Sequence, residues 1–231
     1  MNNRVVVKFG GADLSTGEKI RRAAEMVVKS PYKEKVVVVS AMGNTTDTLV
    51  GAVNQIGNVN DEDYAQVLSM GERTSARVFC TAFRSLGAKA EVFDPADEKW
   101  PIITDSNFRN AKPDVEQTRT RVQKFMVPIL GDTIPVVCGF LGRNPAGHIT
   151  TLGRGGSDTT ALLLAKCLDA TEVILVKETT GVLSADPKLV PDAKALDRLD
   201  IHEMFDLAQG GAKIVKPESL KHKLPDTKLR I

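Results

Sequence analysis

Between residues 150 and 158 the chain reads Thr150-Thr151-Leu152-Gly153-Arg154-Gly155-Gly156-Ser157-Asp158. Three glycines, a guanidinium, a hydroxyl and a carboxylate stand together, and an apolar run follows through Ala161, Leu162, Leu164, Ala165 and Leu168. Glycines let backbone N–H groups come close to an oxyanion. Ser157 and Asp158 suit the N-cap of a helix over the apolar run, and a helix N-terminus behind flexible glycines is an anion site. Arg154 adds a forked grip on a carboxylate or phosphate. A glycine-rich turn that only caps a helix is the plainer alternative for this stretch taken alone.

Such residues need elements to position them, and strand-like and helical patterns alternate along the 231 residues. Strands are predicted at Arg4–Lys8, Lys35–Ser40, Ala90–Phe93, Ile134–Cys138, Glu172–Lys177 and Lys228–Ile231. Helical spacing runs through Ile20, Ala23, Ala24, Val27 and Val28, with Ser15 and Glu18 as a capping-box pair. Further helices are predicted over Thr46–Ile56, from Asn60 or Asp61 to Leu86, over Asp114–Phe125 behind Pro113, over Ile201–Gln209, and around Pro217–Lys223. An all-apolar strand such as Val36–Val39 belongs in a parallel sheet covered on both faces. The expected fold is therefore α/β, a three-layer αβα sandwich with a mainly parallel central sheet. Pro and Gly cluster near Pro128–Thr133, which divides the chain at about residue 130 without a long linker.

Composition narrows the function. Hydrophobic residues make up 42%, enough for a core and too many for a disordered chain. The 31 Lys and Arg nearly balance 29 Asp and Glu, so a net charge of +2 points to neither a nucleic-acid stripe nor an acidic tail. No apolar run of membrane-spanning length occurs, and Met1-Asn2-Asn3-Arg4 leads straight into a strand, so neither a signal peptide nor a membrane span is expected. Cys80, Cys138 and Cys167 are widely spaced in apolar contexts and read as buried thiols of a cytoplasmic protein. His148, His202 and His222 have no ligand spacing, and no protein metal site is expected.

In an open parallel sheet, ligands bind beyond the carboxyl ends of the strands. Four motifs fall there: Lys8-Phe9-Gly10-Gly11, Ser40-Ala41-Met42-Gly43, the Arg154–Asp158 loop and Lys177-Glu178. A P-loop is excluded, because five residues separate Gly11 from Gly17 and Glu18 precedes Lys19. A dinucleotide-binding G-x-G-x-x-G after the first strand is absent too. What remains is a lysine at a strand end, a Gly-Gly pair and a second glycine loop opening a helix, an arrangement that suits a polyphosphate held from two sides. Phosphoryl transfer is mostly positioning and charge stabilisation, so lysines and backbone amides suffice for it.

Lys8-Phe9-Gly10-Gly11, Val39-Ser40-Ala41-Met42-Gly43, Thr46-Asp47, Gly71-Glu72-Arg73, Thr104-Asp105 with Phe108 and Ala111, Gly139-Phe140, Thr150–Asp158, Ala185-Asp186-Pro187-Lys188 and Gly211-Ala212-Lys213 occur in this order. Together they resemble the catalytic domain of aspartate kinases, in the amino-acid kinase superfamily, over essentially the whole chain. The resemblance implies one amino-acid kinase (carbamate kinase-like) domain over 1–231, with an amino-acid-binding lobe to about residue 130 and a nucleotide-binding lobe over 131–231. It implies transfer of the ATP γ-phosphate to the side-chain carboxylate of L-aspartate, with Mg²⁺, a step that in the family opens the route to lysine, threonine and methionine.

On this resemblance Lys8 neutralises charge on the transferring group, Phe9, Gly10 and Gly11 lie at the phosphates, and Asp158 orients lysine amines. Glu72 holds the substrate ammonium and Arg154 its α-carboxylate, one anion and one forked cation for a zwitterion. Thr46 and Ser40 supply hydroxyls near the substrate or transferring group. Gly155, Gly156 and Ser157 complete the loop over the substrate. Lys177, Glu178, Leu183, Lys188 and Lys213 fall on the nucleotide side. The chain departs from the family pattern in three places. Ala12-Asp13 follows Gly-Gly where Thr-Ser is usual, Lys177-Glu178 replaces a Thr-Asp or Ser-Asp pair, and Leu183 replaces an aromatic. Magnesium is expected to arrive through phosphates and water.

The chain stops at Ile231, before the two small regulatory ACT domains usual in aspartate kinases. The expectation is a kinase without built-in feedback by lysine or threonine, or one served by a separate regulatory chain. A homodimer through this domain is the most the resemblance implies about assembly. Two alternatives stay open: a related kinase acting on another carboxylate or amino-acid-like acceptor, and a non-catalytic nucleotide-binding or regulatory subunit.

Overall fold

The computed structural model describes residues 3–177, 181–185, 190, 192–210 and 214–231. Among them are strands β1 (Arg4–Phe9), β2 (Glu34–Val39), β3 (Ala90–Phe93), β4 (Ile134–Cys138), β5 (Leu141–Arg143), β6 (Ile149–Thr151), β7 (Glu172–Val176) and β8 (Lys228–Arg230). The helices are α1 (Gly17–Lys29), α2 (Thr45–Ile56), α3 (Asp61–Ser85), α4 (Val115–Phe125), α5 (Gly156–Leu168), α6 (Ile201–Gln209) and the single turn α7 (Pro217–Leu220).

Six strands form one sheet in the order β3-β4-β2-β1-β7-β8, parallel at every junction. Strand β1 is central, with Lys8 in register with Val38 on one side and Leu175 on the other. Successive strand residues face opposite sides. Phe9 packs its ring on Phe79 of α3 at 5.3 Å, whereas Lys8 reaches Asp158 of α5 at 2.8 Å. The two helices therefore cover opposite faces. Helix α1 packs beside α3, and α4 beside α5, which completes the expected three layers. Val36, Val37, Val38 and Val39 are all fully buried between them.

The observed strands and long helices lie within a residue or two of the expected ranges, and helix starts carry the polar caps that explain them. Asn60 accepts from the Asp63 amide at 2.8 Å, and Asp114 from the Gln117 amide at 2.9 Å. The start of α1 differs from expectation. Thr16 is the cap, accepting from the Lys19 amide at 3.2 Å, while the Ser15 hydroxyl donates to the Ala12 carbonyl and Glu18 pairs with Arg22. The 3₁₀ turn Ala12–Leu14 runs into Ser15 and takes up its hydroxyl. The antiparallel hairpin β5–β6 was not expected from the sequence. The Pro128–Thr133 stretch leads directly into β4, which inserts between β3 and β2, so one sheet runs through both halves of the chain.

Cys80, Cys138 and Cys167 are free and buried. Burial pushes the Cys80 thiol up to about 12 and Cys167 up to about 11, and raises Cys138 as well, which makes all three poor nucleophiles. Among the described residues no helix is long and apolar enough to cross a membrane.

Candidate functional site

A cavity of about 520 Å³ opens at the carboxyl edge of the sheet. Its walls are Lys8 of β1, Ser40 just after β2, Thr46, Asp47 and Val50 of α2, Tyr64, Leu68 and Glu72 of α3, Arg109, Phe140, and the run from Thr151 through Asp158 apart from Leu152. Lys8 and Ser40 reach it from strand ends, where the open-sheet rule places ligands, and α2, α3 and the loop before α5 close the remaining walls.

At its floor two ammonium groups converge on one carboxylate. The Lys8 ammonium lies 2.8 Å from Asp158 Oδ1, an ion pair out of hydrogen-bond alignment. Lys177, one residue past β7, donates to Oδ2 at 3.1 Å and also to the Ile214 carbonyl. Lys8 and Asp158 are both buried. A buried charge persists only when paired, so Asp158 holds both cations at adjacent strand ends, beside the N-terminus of α5. That end of a helix attracts anions.

The local fold explains why Asp158 is available. Gly155, at φ +73°, is the N-cap of α5 and supplies no side-chain cap. This corrects the expectation that Ser157 or Asp158 would cap the helix. Both sit inside the first turn, where their side chains point to other partners. Ser157 Oγ accepts from Ser40 Oγ at 3.0 Å, tying α5 to the end of β2. The contact requires Gly139. A Cβ there would lie 2.8 Å from both Ser157 Oγ and the Val39 carbonyl. Gly139→Ala is expected to lower stability by roughly 2 kcal/mol, a fall in Tm of about 6 °C. Thermal unfolding followed by circular dichroism checks this, and an unchanged Tm would count against the packing described.

Across the cavity, Glu72 is buried on α3. Its Oε1 accepts from the Ala41 amide at 3.0 Å, while Oε2 has no hydrogen-bond partner among the described residues. Burial pushes the Glu72 carboxyl up to about 7, against the pull of the Ala41 amide. Gly71 permits this approach, since a Cβ on it would meet Ala41 Cβ at 2.7 Å. A glycine inside a helix costs stability of about 1 kcal/mol relative to alanine, and here it brings α3 onto the turn after β2. A buried carboxylate oxygen that faces a cavity with no hydrogen-bond partner among the described residues can receive a cation.

The third wall couples two loops. Thr151 donates its amide to the Phe108 carbonyl and accepts the Ala111 amide on its own carbonyl, both at 2.8 Å. Arg109 from the same loop pairs with Asp61 at 2.6 Å and lies over the Tyr64 ring at 4.1 Å. Exposed Arg154 follows Gly153, whose φ of +70° turns the chain at the rim. Phe140 also lines the cavity at φ +66°, an uncommon conformation for a bulky residue. Its amide donates to Thr160 Oγ1 at 3.1 Å.

Of the residues singled out in the sequence, Lys8, Ser40, Thr46, Glu72, Arg154, Gly155, Gly156, Ser157 and Asp158 line this cavity, and Lys177 joins them through Asp158. Phe9 is instead a core residue, its ring fully buried against Phe79. Gly11 serves loop packing, since a Cβ on it would lie 2.8 Å from the carbonyls of Ala41 and Gly43. Leu183 is half-buried on a bridge to Ala195, away from the lining. Glu178, Lys188 and Lys213 lie outside the described residues. Arg73, in the Gly71-Glu72-Arg73 motif, is structural: with Arg77 it grips buried Asp94, at 2.9 and 2.7 Å. Burial alone would push the Asp94 carboxyl up, but the Ala96 amide and the two guanidiniums hold it below its usual range. Tyr64, Leu68 and Arg109 were not singled out in the sequence, and Phe140 stood there only within the Gly139-Phe140 motif, without a role in the site. The spacing of Tyr64, Leu68 and Glu72 at four-residue steps puts them on one helix face and was a usable signal.

A parallel sheet whose carboxyl edge holds a lysine pair on one carboxylate, a helix N-terminus and a glutamate oxygen without a hydrogen-bond partner among the described residues defines an α/β domain with a charged cavity at the strand ends. Its sequence matches the amino acid kinase family over residues 3–222, and the chain belongs to that family. It is 39% identical over 224 residues to an aspartokinase of Corynebacterium efficiens, covering 94% of this chain and 51% of that protein. An aspartokinase of Rickettsia felis is 33% identical over 223 residues, covering 94% and 54%. Escherichia coli aspartokinase III in complex with aspartate and ADP superposes with a TM-score of 0.86 at 26% identity, over 95% of this chain and 59% of that one. The Synechocystis aspartate kinase gives 0.77 at 32% identity, over 95% and 36%. The chain spans about half the length of the curated relatives it matches.

Proposed function

We propose that this chain transfers the γ-phosphate of ATP to the side-chain carboxylate of L-aspartate, giving 4-phospho-L-aspartate and ADP. The observation that carries the reading is the pairing of opposite demands in one cavity. Asp158 holds two ammonium groups beside a helix N-terminus, and Glu72 offers an unpaired carboxylate oxygen on the facing wall. The relatives named aspartokinase support the choice of acceptor.

In this mechanism Glu72 receives the substrate ammonium and Arg154 its α-carboxylate, which leaves the side-chain carboxylate aimed at the α5 N-terminus. Phosphates lie along Gly10 and that helix end. Lys8 and Lys177, steadied by Asp158, neutralise the charge that spreads over the transferring group, and no covalent intermediate on the protein is needed. Ser40, Ser157 and Thr46 fix the reacting oxygens by hydrogen bonds. Among the described residues no three His, Cys, Asp or Glu side chains gather into a metal cage, and both oxygens of Asp158 already face lysines. The donor set therefore fits Mg²⁺ only as a partner of the nucleotide phosphates, with water completing its shell; there it would shield phosphate charge. The enzyme is read as cytoplasmic, with free buried thiols that suit a reducing compartment.

An ATP-dependent hydroxamate assay over a panel of acidic amino acids and simple carboxylic acids tests the reading. Turnover with aspartate and not with acids lacking an α-amino group is expected. Turnover only with another acid would reassign the acceptor. ATP binding with no turnover on any acid would overturn the catalytic reading.

A further inference from the structure

The 3₁₀ turn Ala12–Leu14 brings a carboxylate back onto the loop that follows β1. Asp13 Oδ2 accepts the Gly10 amide at 3.2 Å. The point where a Cβ on Gly10 would stand is 3.3 Å from that oxygen, 3.8 Å from the Lys8 ammonium and 3.9 Å from the Val176 carbonyl. An anionic oxygen and the ammonium of the candidate catalytic lysine thus converge on one glycine. A loop amide and a nearby lysine are the contacts a phosphate oxygen would seek. A Thr-Ser pair after Gly-Gly would place hydroxyl donors here, whereas Ala12-Asp13 places an acceptor with a full charge.

We propose that Asp13 is an internal stand-in for a nucleotide phosphate and sets nucleotide affinity by competing for the Gly10 amide; this rests on the phosphoryl-transfer reading above. A phosphate takes the amide only by displacing Asp13. The displaced carboxylate stays on the same short turn and repels the incoming polyanion. Asp13 is partly exposed, so rotation towards solvent gives it somewhere to go. The Gly10 amide is thereby satisfied within the chain, at the expense of nucleotide affinity. Asp13 acts here as an affinity-determining residue, distinct from the lysines that face the transferring group.

Equilibrium binding of ADP and of adenosine to the full chain, by calorimetry, separates this role from a merely structural one. In Asp13→Asn the side-chain oxygen still accepts the Gly10 amide but carries no charge. ADP is expected to bind it about tenfold more tightly than wild type, with adenosine affinity unchanged. Asp13→Ser is expected to give a similar gain and serves if the asparagine variant fails to fold. ADP affinity equal to or weaker than wild type in a variant that unfolds at the wild-type temperature would overturn the role of Asp13 alone. An equal gain for adenosine would overturn it too, because the effect would then not depend on phosphate. Absence of ADP binding at millimolar concentration in wild type and both variants would overturn the phosphoryl-transfer reading as well.

Discussion

Lys8→Ala is expected to lower kcat for aspartate phosphorylation about a thousandfold, roughly 4 kcal/mol of transition-state stabilisation. KM for aspartate should change little, because Glu72 and Arg154 hold that substrate from other walls. The reasoning is geometric. Lys8 lines the cavity from the central strand, while Lys177 stands behind Asp158 and also serves the Ile214 carbonyl. Lys177→Ala should therefore cost far less, on the order of tenfold, since the Lys8–Asp158 pair survives it. Steady-state kinetics on both variants, with thermal unfolding to establish that each is folded, decides the matter. A Lys8→Ala enzyme within about threefold of wild-type kcat would remove Lys8 from the chemistry.

Glu72→Gln should raise KM for aspartate about a hundredfold and leave kcat much less affected. Truncating one side of a desolvated charge pair typically costs 2–5 kcal/mol. The same carboxyl makes aspartate binding depend on pH. With its pKa pushed up to about 7, Glu72 becomes protonated as pH falls below that value and no longer attracts an ammonium. Wild-type KM for aspartate should climb as pH falls from 8 to 6, and the glutamine variant should show no such climb over this window. Stability runs the other way. The native state holds this proton more tightly than an unfolded carboxyl at 4.5 would, so folding loses stability as pH rises from about 4.5 through 7, by roughly 3 kcal/mol. Glu72→Gln should consequently melt higher than wild type at pH 8, with the gap closing near pH 5. A KM for aspartate that is flat with pH in the wild type, or a glutamine variant less stable at pH 8, would sink this account.

The strands of this fold were legible because burial on both faces demands unbroken apolar runs, and Val36–Val39 is fully buried between the two helix layers. Lys8, Ser40 and Lys177 stand at the ends of β1, β2 and β7, as the rule for open parallel sheets leads one to expect, whereas Arg154 follows β6 of the separate hairpin. Other features had no local signal. The hairpin β5–β6 consists of Leu-Gly-Arg and Ile-Thr-Thr, three residues each and without alternation, and it is held by cross-strand and loop hydrogen bonds. Gly155 as the α5 cap was hidden because Ser157 and Asp158 are better cap residues by type. Their engagement with Ser40 and the two lysines takes them from that role. Phe9 could have been placed correctly. A residue next to Lys8 on a strand must face the opposite layer, and only one of the two can enter the site.

Strand β1 carries the first site lysine, yet one of its two neighbours comes from far along the chain: Val5 is registered with Glu172. During synthesis β1 and β2 can pair once residue 39 has left the ribosome, but the other edge of β1 waits until residue 176 has followed. Parallel pairing across so long a separation is slow. In the interval the apolar edge at Val5, Val6 and Val7 is a template for foreign strands. Yield of active protein in a host cell should therefore respond to growth temperature and chaperone supply, even where the finished domain is stable.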